Sequence, residues 1–452
     1  MADFTIEEIC LATQGKVHGV RNIDGINGIS TDTRTVKAGA LFIPLVGEKF
    51  DGHDFIDQAV TNGAAAILSS RLDLIVPPHV TLILVEDTLL ALHGLARFHR
   101  QRFSIPIIGI TGSNGKTTTK DMIGAVLGSR YQVLKTEANY NNEIGLPMTL
   151  LQLTAKHEVA VVEMGMRGKG QIRQLAEIAL PTLAVITNVG ETHIELLGSI
   201  QEIAVAKAEL LEVLPVSGLA VLNADNPYVA EMAKKAEHRV TLFGLEQGDI
   251  RAENIQMDGT GMKFRCCSSY GDFSVSLPTV GRHNIYNGLA AIAVGFALGL
   301  EAKEIQKGIG SFNASPMRLH IEEMGGYIVI NDAYNASPMS MAAGIDTLLE
   351  VAQGRKVAVL GDMLELGEFA IEAHRQIGEK LALGKIDILV TVGELAAHIV
   401  EAAKEQGVKL AVACKDHEEA SSALQKMIVP GDTILIKGSR GMKMENMVKV
   451  FL

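Results

Sequence analysis

Tryptophan is absent from the 452 residues, and aromatic residues make up only 4% of them. That leaves few platforms for stacking nucleobases. The four cysteines, Cys10, Cys266, Cys267 and Cys414, form no C-x-x-C pair, and adjacent Cys266 and Cys267 are poorly placed to bond each other. This excludes a disulfide scaffold or a cysteine zinc site and fits a reducing compartment. Positive charge is in deficit: 41 Lys and Arg against 52 Asp and Glu, a net charge of −11. Such a chain is a poor binder of nucleic acid or of an anionic membrane. Long hydrophobic runs are missing too. The longest, Gly288 to Leu300, is too short to span a bilayer and reads as a buried helix. The segment Met1 to Glu8 is acidic and lacks a basic stretch followed by an apolar run, so no secretory signal is expected. A cytoplasmic protein without membrane insertion follows. There is no low-complexity segment, no solenoid period and no nucleophile motif.

What is present belongs to a folded protein: 47% hydrophobic and 21% charged residues argue against long disordered tracts. At roughly 150 residues per domain, the length suggests about three domains. Glycine is abundant, with 45 residues, as many tight strand–helix turns would require. The first unit, 1–101, alternates short strands with helices and ends in a helical pattern from Leu89 to Phe98, followed by a linker at Gln101 to Ser104. The second, 102–315, repeats unbroken apolar strands between helices (Ile107–Ile110, Val159–Val162, Leu183–Ile186, Ala220–Leu222), the mark of a parallel sheet covered on both faces. An antiparallel patch is expected over 250–280, then an alanine-rich helix from His283 to Leu300. The third, 316–452, carries strands at Tyr327–Ile330, Val357–Leu360, Ile388–Val390 and Thr433–Ile436. It reads as a second doubly wound α/β domain, without the Gly-x-Gly-x-x-Gly of a dinucleotide binder.

The strand Ile107–Ile110 runs into Thr111-Gly112-Ser113-Asn114-Gly115-Lys116-Thr117-Thr118-Thr119, which opens a helix. That is the context of a phosphate-binding loop, where backbone N–H groups and the helix N-terminus favour anions. Lys116 would reach the β- and γ-phosphates, and the Thr117 hydroxyl could bind Mg²⁺. The strict Gly-x-x-x-x-Gly-Lys pattern fails at Ile110, with Gly112 supplying the early glycine. Glu163 and His193 both follow strands, at the carboxyl edge where doubly wound sheets bind ligands. A carboxylate and an imidazole there could hold a second Mg²⁺ or order phosphates, although a helix cap or a solvated charge would read the same way. Lys437-Gly438-Ser439-Arg440-Gly441 ends the last strand and could hold a carboxylate, or be solvated surface.

These segments resemble the Mur ligases, ATP-dependent amide ligases that build the peptide of peptidoglycan. The resemblance rests on the phosphate loop, Glu163, His193, Ala204 to Leu210, Gly281 to Asn287 and Asn331 to Pro338, and so runs over the whole chain. It implies three α/β domains: an N-terminal UDP-sugar-binding domain, a central phosphate-loop doubly wound domain and a C-terminal Rossmann-like domain. The segment Asp332 to Pro338 lacks the histidine of some members and resembles the branch that adds D-alanyl-D-alanine to a UDP-N-acetylmuramoyl-tripeptide. Ser30, Asp32, Thr33, Arg34 and Phe50 resemble that branch's UDP-sugar site, and Asn139, Asn141, Asn142 and Glu143 the stretch contacting the nucleotide-linked peptide.

By the same resemblance, ATP is held by Thr111 to Thr118, Asn284, Asn287, Arg318 at the phosphates and Asp332 at the ribose. Lys207 is the lysine carbamylated in the family; read from its helix alone it is a surface lysine. Asn284, read alone, is a helix N-cap. Thr117, Glu163, His193 and carbamylated Lys207 would bind Mg²⁺, and with Lys116 the last three form the catalytic set. Asn335, Ser337, Lys437 and Arg440 are the candidates for the incoming dipeptide. A monomer with no nucleic-acid partner is expected. The alternative within the fold is a folylpolyglutamate synthase-like ligase, whose loop usually reads Thr-Asn-Gly-Lys-Gly and which lacks this kind of first domain. A phosphate-loop switch or motor protein leaves the Ser30 to His53 segment unexplained.

Overall fold

The computed structural model describes residues 3–21, 23–258 and 261–451. Met1 and Ala2, which open the segment read for a targeting signal, lie outside the described residues, as does Leu452. Three α/β domains follow one another along the chain. No helix among the described residues is long and apolar enough to cross a membrane. The four cysteines are free thiols.

The first domain is a five-stranded sheet in the order Lys16–His18, Thr81–Leu84, Ala66–Ser69, Leu41–Phe42, Ile29–Ser30, with only Lys16–His18 antiparallel to its neighbour. Its last helix is Thr88–Gln101, longer than its apolar repeat suggests. Asp87 caps the start by accepting from the Leu89 and Leu90 amides, and Gln101, read as linker, is the final helical residue. Leu92, Leu95 and Ala96 bury one face. Three polar side chains of the helix bond to the second domain. His93 Nε2 lies 2.7 Å from the Glu143 carbonyl and His99 Nε2 2.9 Å from that of Leu153, while Arg100 Nε donates to the Ala179 carbonyl at 3.0 Å.

The second domain holds a nine-stranded sheet in the order Phe273–Leu277, Gly261–Ser268, Ile250–Asp258, Arg239–Gly244, Leu219–Asn223, Leu183–Ile186, Ile107–Thr111, Val159–Glu163, Val133–Lys135. The first three form the antiparallel patch and the rest run parallel. Ile107–Thr111 and Val159–Glu163 are buried at every position, which is why their sequences show no alternation. The chain moves from Ile107–Thr111 outward to one edge and then crosses to Leu183–Ile186 on the other side. The loop after Thr111 therefore sits at the point where strand order reverses, the usual ligand crevice. The helix Arg282–Ala297, polar in its first turns and wholly apolar from Gly288, packs against the phosphate-loop helix Lys116–Leu127.

The third domain is a six-stranded sheet, His320–Met324, Tyr327–Asp332, Thr433–Lys437, Lys356–Gly361, Ile388–Val392, Leu410–Cys414, parallel except for its first hairpin strand. Its carboxyl edge faces the phosphate loop.

Candidate active site

A cleft of about 1350 Å³ lies between the second and third domains. A single small-molecule site typically measures roughly 300–1,000 Å³, so this one has room for two ligands. It brings together Ser113 to Thr118, Asn139, Asn141, Asn142, Glu143, Glu163, His193, Asn284, Asn287, Arg318, Asp332, Asn335, Ser337, Lys437 and Arg440. Thr111 and Gly112 lie just beneath, buried.

The loop is shaped by its glycines. Gly112 has φ +148°, and a Cβ there would meet Thr187 Oγ1 at 1.9 Å; Gly115 has φ +80°, and a Cβ would meet Asn287 Oδ1 at 2.5 Å. Only glycine fits either place. Thr187 and Asn188, at the end of the neighbouring strand, tie the loop down: the Asn114 amide donates to Asn188 Oδ1 at 2.9 Å, and Thr187 Oγ1 donates to the Asn114 carbonyl at 2.7 Å. Lys116 Nζ donates to the Gly112 carbonyl at 2.7 Å. Burial lowers the Lys116 pKa against the pull of Glu163.

Glu163 is the last residue of its strand and buried. It accepts from the Thr117 hydroxyl at 2.9 Å and from Asn141 Nδ2 at 2.7 Å. A helix cap or a solvated charge is thereby excluded. Thr117 and Glu163 are adjacent hard oxygen donors, the kind Mg²⁺ prefers. No group of three His, Cys, Asp or Glu suited to a metal occurs among the described residues, so further oxygens would have to come from elsewhere.

Lys207 lies on the helix Ile200–Val213 and is only 2% exposed; the reading as a surface lysine is wrong. An apolar period cannot reveal this, because the helix is covered on the side that carries Lys207. Burial first, and the charge of Lys116 second, hold its pKa well below the usual lysine value. A buried amine without a carboxylate partner sheds its proton rather than pay for desolvation.

Asn284 does not cap its helix. Gly281 occupies that position, and Asn284 lies inside the helix with Nδ2 donating to the Val280 carbonyl at 2.7 Å. Its Oδ1 accepts from Asn287 Nδ2 at 3.0 Å, and Asn287 Oδ1 accepts from the Thr119 hydroxyl at 3.0 Å. The chain of bonds ends on the phosphate-loop helix. Thr119 and Asn188 were missed because their partners are far away in sequence. Beside them, His283 is pushed down to about 4, chiefly by burial.

From the third domain, Arg318 stands 4.1 Å over the Tyr334 ring. Lys437 is buried, not solvated surface; it donates to Asp332 Oδ2 at 2.5 Å and to the Asn335 carbonyl at 2.9 Å. Arg440 is exposed and pairs with Glu445 at 2.9 Å. Ser337 caps the helix Pro338–Val351, and its hydroxyl also donates to Asn114 Oδ1 at 2.9 Å, joining the third domain to the phosphate loop. A second bridge joins His193 to Glu365, a residue the sequence offered no reason to select beyond its place after a strand. Burial lowers the His193 pKa, partly offset by Glu365.

Ser30, Asp32, Thr33, Arg34 and Phe50 are not in this cleft. They lie on the first domain. Asp32 pairs with Arg34 at 2.6 Å, Ser30 Oγ donates to the Asp32 carbonyl at 2.8 Å, Thr33 donates to Gln58 at 3.1 Å, and Phe50 is 60% exposed. Next along the chain, His53 Nδ1 lies 2.6 Å from Asp51 Oδ1, and Arg71 reaches Asp51 Oδ2 at 2.6 Å. These contacts hold the Asp51 carboxyl at about 2 despite the opposing cost of burial.

Residues 25–100 match the Mur ligase family catalytic domain, 110–295 the Mur ligase middle domain and 317–440 the Mur ligase glutamate ligase domain. The chain is 42% identical over 427 residues to the UDP-N-acetylmuramoyl-tripeptide–D-alanyl-D-alanine ligase of Bacillus subtilis, covering 94% of this chain and 93% of that one. A crystal structure of MurF from Acinetobacter baumannii superposes with a TM-score of 0.93 at 33% identity, covering 99% and 98% of the two chains. MurF from Thermotoga maritima, solved in complex with ADP, gives 0.86 at 31% identity, covering 94% and 97%. The folylpolyglutamate synthase of Mycobacterium tuberculosis shares the fold alone, at 20% identity and a TM-score of 0.65 over 80% of this chain and 94% of that one. With its three domain matches and a 42%-identical relative spanning nearly its whole length, the chain belongs to the Mur ligase family.

Proposed function

We propose that this protein is an ATP-dependent, ADP-forming ligase that joins D-alanyl-D-alanine to UDP-N-acetylmuramoyl-tripeptide in peptidoglycan precursor synthesis. The observation that carries the reading is the 42% identity to a ligase of that name over nearly the whole chain. The 20% identity to folylpolyglutamate synthase supports no more than a shared fold.

A carboxylate resists an amine because its oxyanion leaves poorly. Transfer of the γ-phosphoryl group from ATP to the tripeptide's terminal carboxylate makes an acyl phosphate and releases ADP. The dipeptide amine, deprotonated, then attacks the carbonyl, and the tetrahedral intermediate expels phosphate. No covalent nucleophile on the protein is required. The phosphate loop cradles the nucleotide phosphates, Lys116 and Arg318 offset their charge, and catalysis is mainly positioning and electrostatics. Asn284 and Asn287 contact the nucleoside and Asp332 the ribose. Mg²⁺, held by Thr117, Glu163, His193 and a carbamate on Lys207, would neutralise charge on the transferring group. The carbamate forms when the neutral Lys207 amine adds to carbon dioxide and loses a proton, turning a buried would-be cation into an oxygen donor. Its depressed pKa favours that neutral amine.

Residues 1–101 hold the UDP-sugar through Ser30, Asp32, Thr33, Arg34 and Phe50. Residues 102–315 bind ATP, and Asn139, Asn141, Asn142 and Glu143 contact the peptide. Residues 316–452 complete the ATP site and hold the dipeptide near Asn335, Ser337, Lys437 and Arg440. A third domain seated on the cleft would exclude water from the acyl phosphate. The reaction is placed in the cytoplasm, on a monomer. Phosphate release by purified protein, offered each nucleotide tripeptide with and without D-alanyl-D-alanine, tests the reading. Release that ignores the dipeptide, or that requires glutamate and a folate instead, contradicts it.

A further inference from the structure

His193 and Glu365 face each other across the cleft with His193 Nδ1 2.5 Å from Glu365 Oε2. His193 belongs to the second domain and Glu365 to the third. Both are non-glycine residues in the left-handed region, at φ +62° and +64°, a conformation that persists only where the surroundings hold it. The backbones meet as well, since the Glu195 amide donates to the Glu365 carbonyl at 3.3 Å. A Cβ on Gly367 would come within 3.2 Å of the Glu195 side chain.

The loop carrying Glu365 is anchored by groups of the third domain. Asp362 Oδ1 accepts from the Ala396 amide at 2.7 Å, and its carbonyl accepts from the Ser439 amide at 3.0 Å. His374, fully buried, accepts from the Met363 amide at 2.9 Å, and Ser439 Oγ accepts from the Leu364 amide at 2.9 Å. Leu366, next to Glu365, is buried. Residues on either side of Glu365 are therefore fixed to the third domain's own core, while its carboxylate points into the second domain.

A carboxylate bonded to one imidazole nitrogen fixes the ring's orientation and keeps the proton on that nitrogen, leaving the other as a lone pair directed away. We propose that Glu365 is a positioning residue for His193, supplied by the third domain, so that the imidazole is set for phosphoryl transfer only while that domain is seated on the phosphate loop. The inference rests on the reading of the cleft as the phosphoryl-transfer site. It makes the second domain's catalytic geometry conditional on the third domain, which carries the proposed dipeptide site. By reciprocity, whatever orders His193 also favours seating of the third domain.

The test uses the full-length protein and the variants Glu365→Ala and Glu365→Gln. The imidazole ¹⁵N resonances of His193, identified by their loss in His193→Asn, report which nitrogen is protonated and need no substrate. The wild type should show the proton on Nδ1. Glu365→Gln, whose amide oxygen still accepts, should keep that pattern, and Glu365→Ala should lose it. Small-angle scattering should show Glu365→Ala with the third domain less often seated. In phosphate release, kcat of Glu365→Ala should fall about 10–100-fold, the usual effect of removing such a partner, with KM for the nucleotide tripeptide unchanged. An unchanged His193 pattern in Glu365→Ala, or an unchanged kcat, overturns the proposal. A wild-type enzyme without dipeptide-dependent phosphate release would overturn the functional reading instead, and the resonances would still report on the pair.

Discussion

The phosphate-loop cleft and the Ser30–Phe50 surface of the first domain are built in opposite ways. In the cleft, the side chains around the phosphate loop are joined to partners distant in sequence: Thr117 and Asn141 to Glu163, Asn287 to Thr119, Ser337 to Asn114. On the first domain the contacts stay within that domain, Asp32 with Arg34, Thr33 with Gln58 and Asp51 with His53 and Arg71, and Phe50 stands exposed. A network of distant partners places charge to within a fraction of an ångström, as phosphoryl transfer requires. A more exposed surface confined to one domain suits grip on a substrate whose reacting end lies elsewhere. The difference implies that changes in the cleft should strike kcat and changes on the first domain should strike KM.

The largest effect is expected for Lys116→Ala. Losing the cation that faces the transferring phosphate should lower kcat by about 10²–10³-fold or more, measured as ATP- and dipeptide-dependent phosphate release; a mutant within a few-fold of wild type would move the chemistry away from this loop. Next is Lys207→Ala, expected to lose about 100-fold in activity and to recover part of it with acetate or another short carboxylate. A near wild-type rate without any additive would return Lys207 to a packing role. Arg440→Ala should raise KM for D-alanyl-D-alanine roughly tenfold, the scale of one charge-assisted hydrogen bond, with KM for ATP unmoved. A rise for ATP alone would assign Arg440 to the nucleotide. Smallest is Phe50→Ala, expected to raise KM for the nucleotide tripeptide about three- to tenfold at constant kcat. A fall in kcat there would blur the contrast between the two regions.

What could be read from the sequence was the local part of each region. The glycines and Lys116 follow directly on an apolar strand, and Glu163 ends another, so chain order alone placed them at one sheet edge. The three domains were legible because unbroken apolar strands and glycine turns are short-range signals. The burial of Lys207 was not, because the helices that cover it are set by tertiary packing. Asn284 looked like a cap from its neighbours, yet Gly281 takes that place and Asn284 turns to Asn287. Glu365 had no local mark beyond its place after a strand: its partner is 172 residues away in sequence, and only the docking of one domain on another brings them together.

The most direct test of the separation between grip and chemistry is calorimetric titration of UDP-N-acetylmuramoyl-tripeptide into wild type, Lys116→Ala and Phe50→Ala, without ATP. The predicted result is wild-type affinity for Lys116→Ala and weakened affinity for Phe50→Ala. Equal loss of affinity in both, or loss in Lys116→Ala alone, would contradict it.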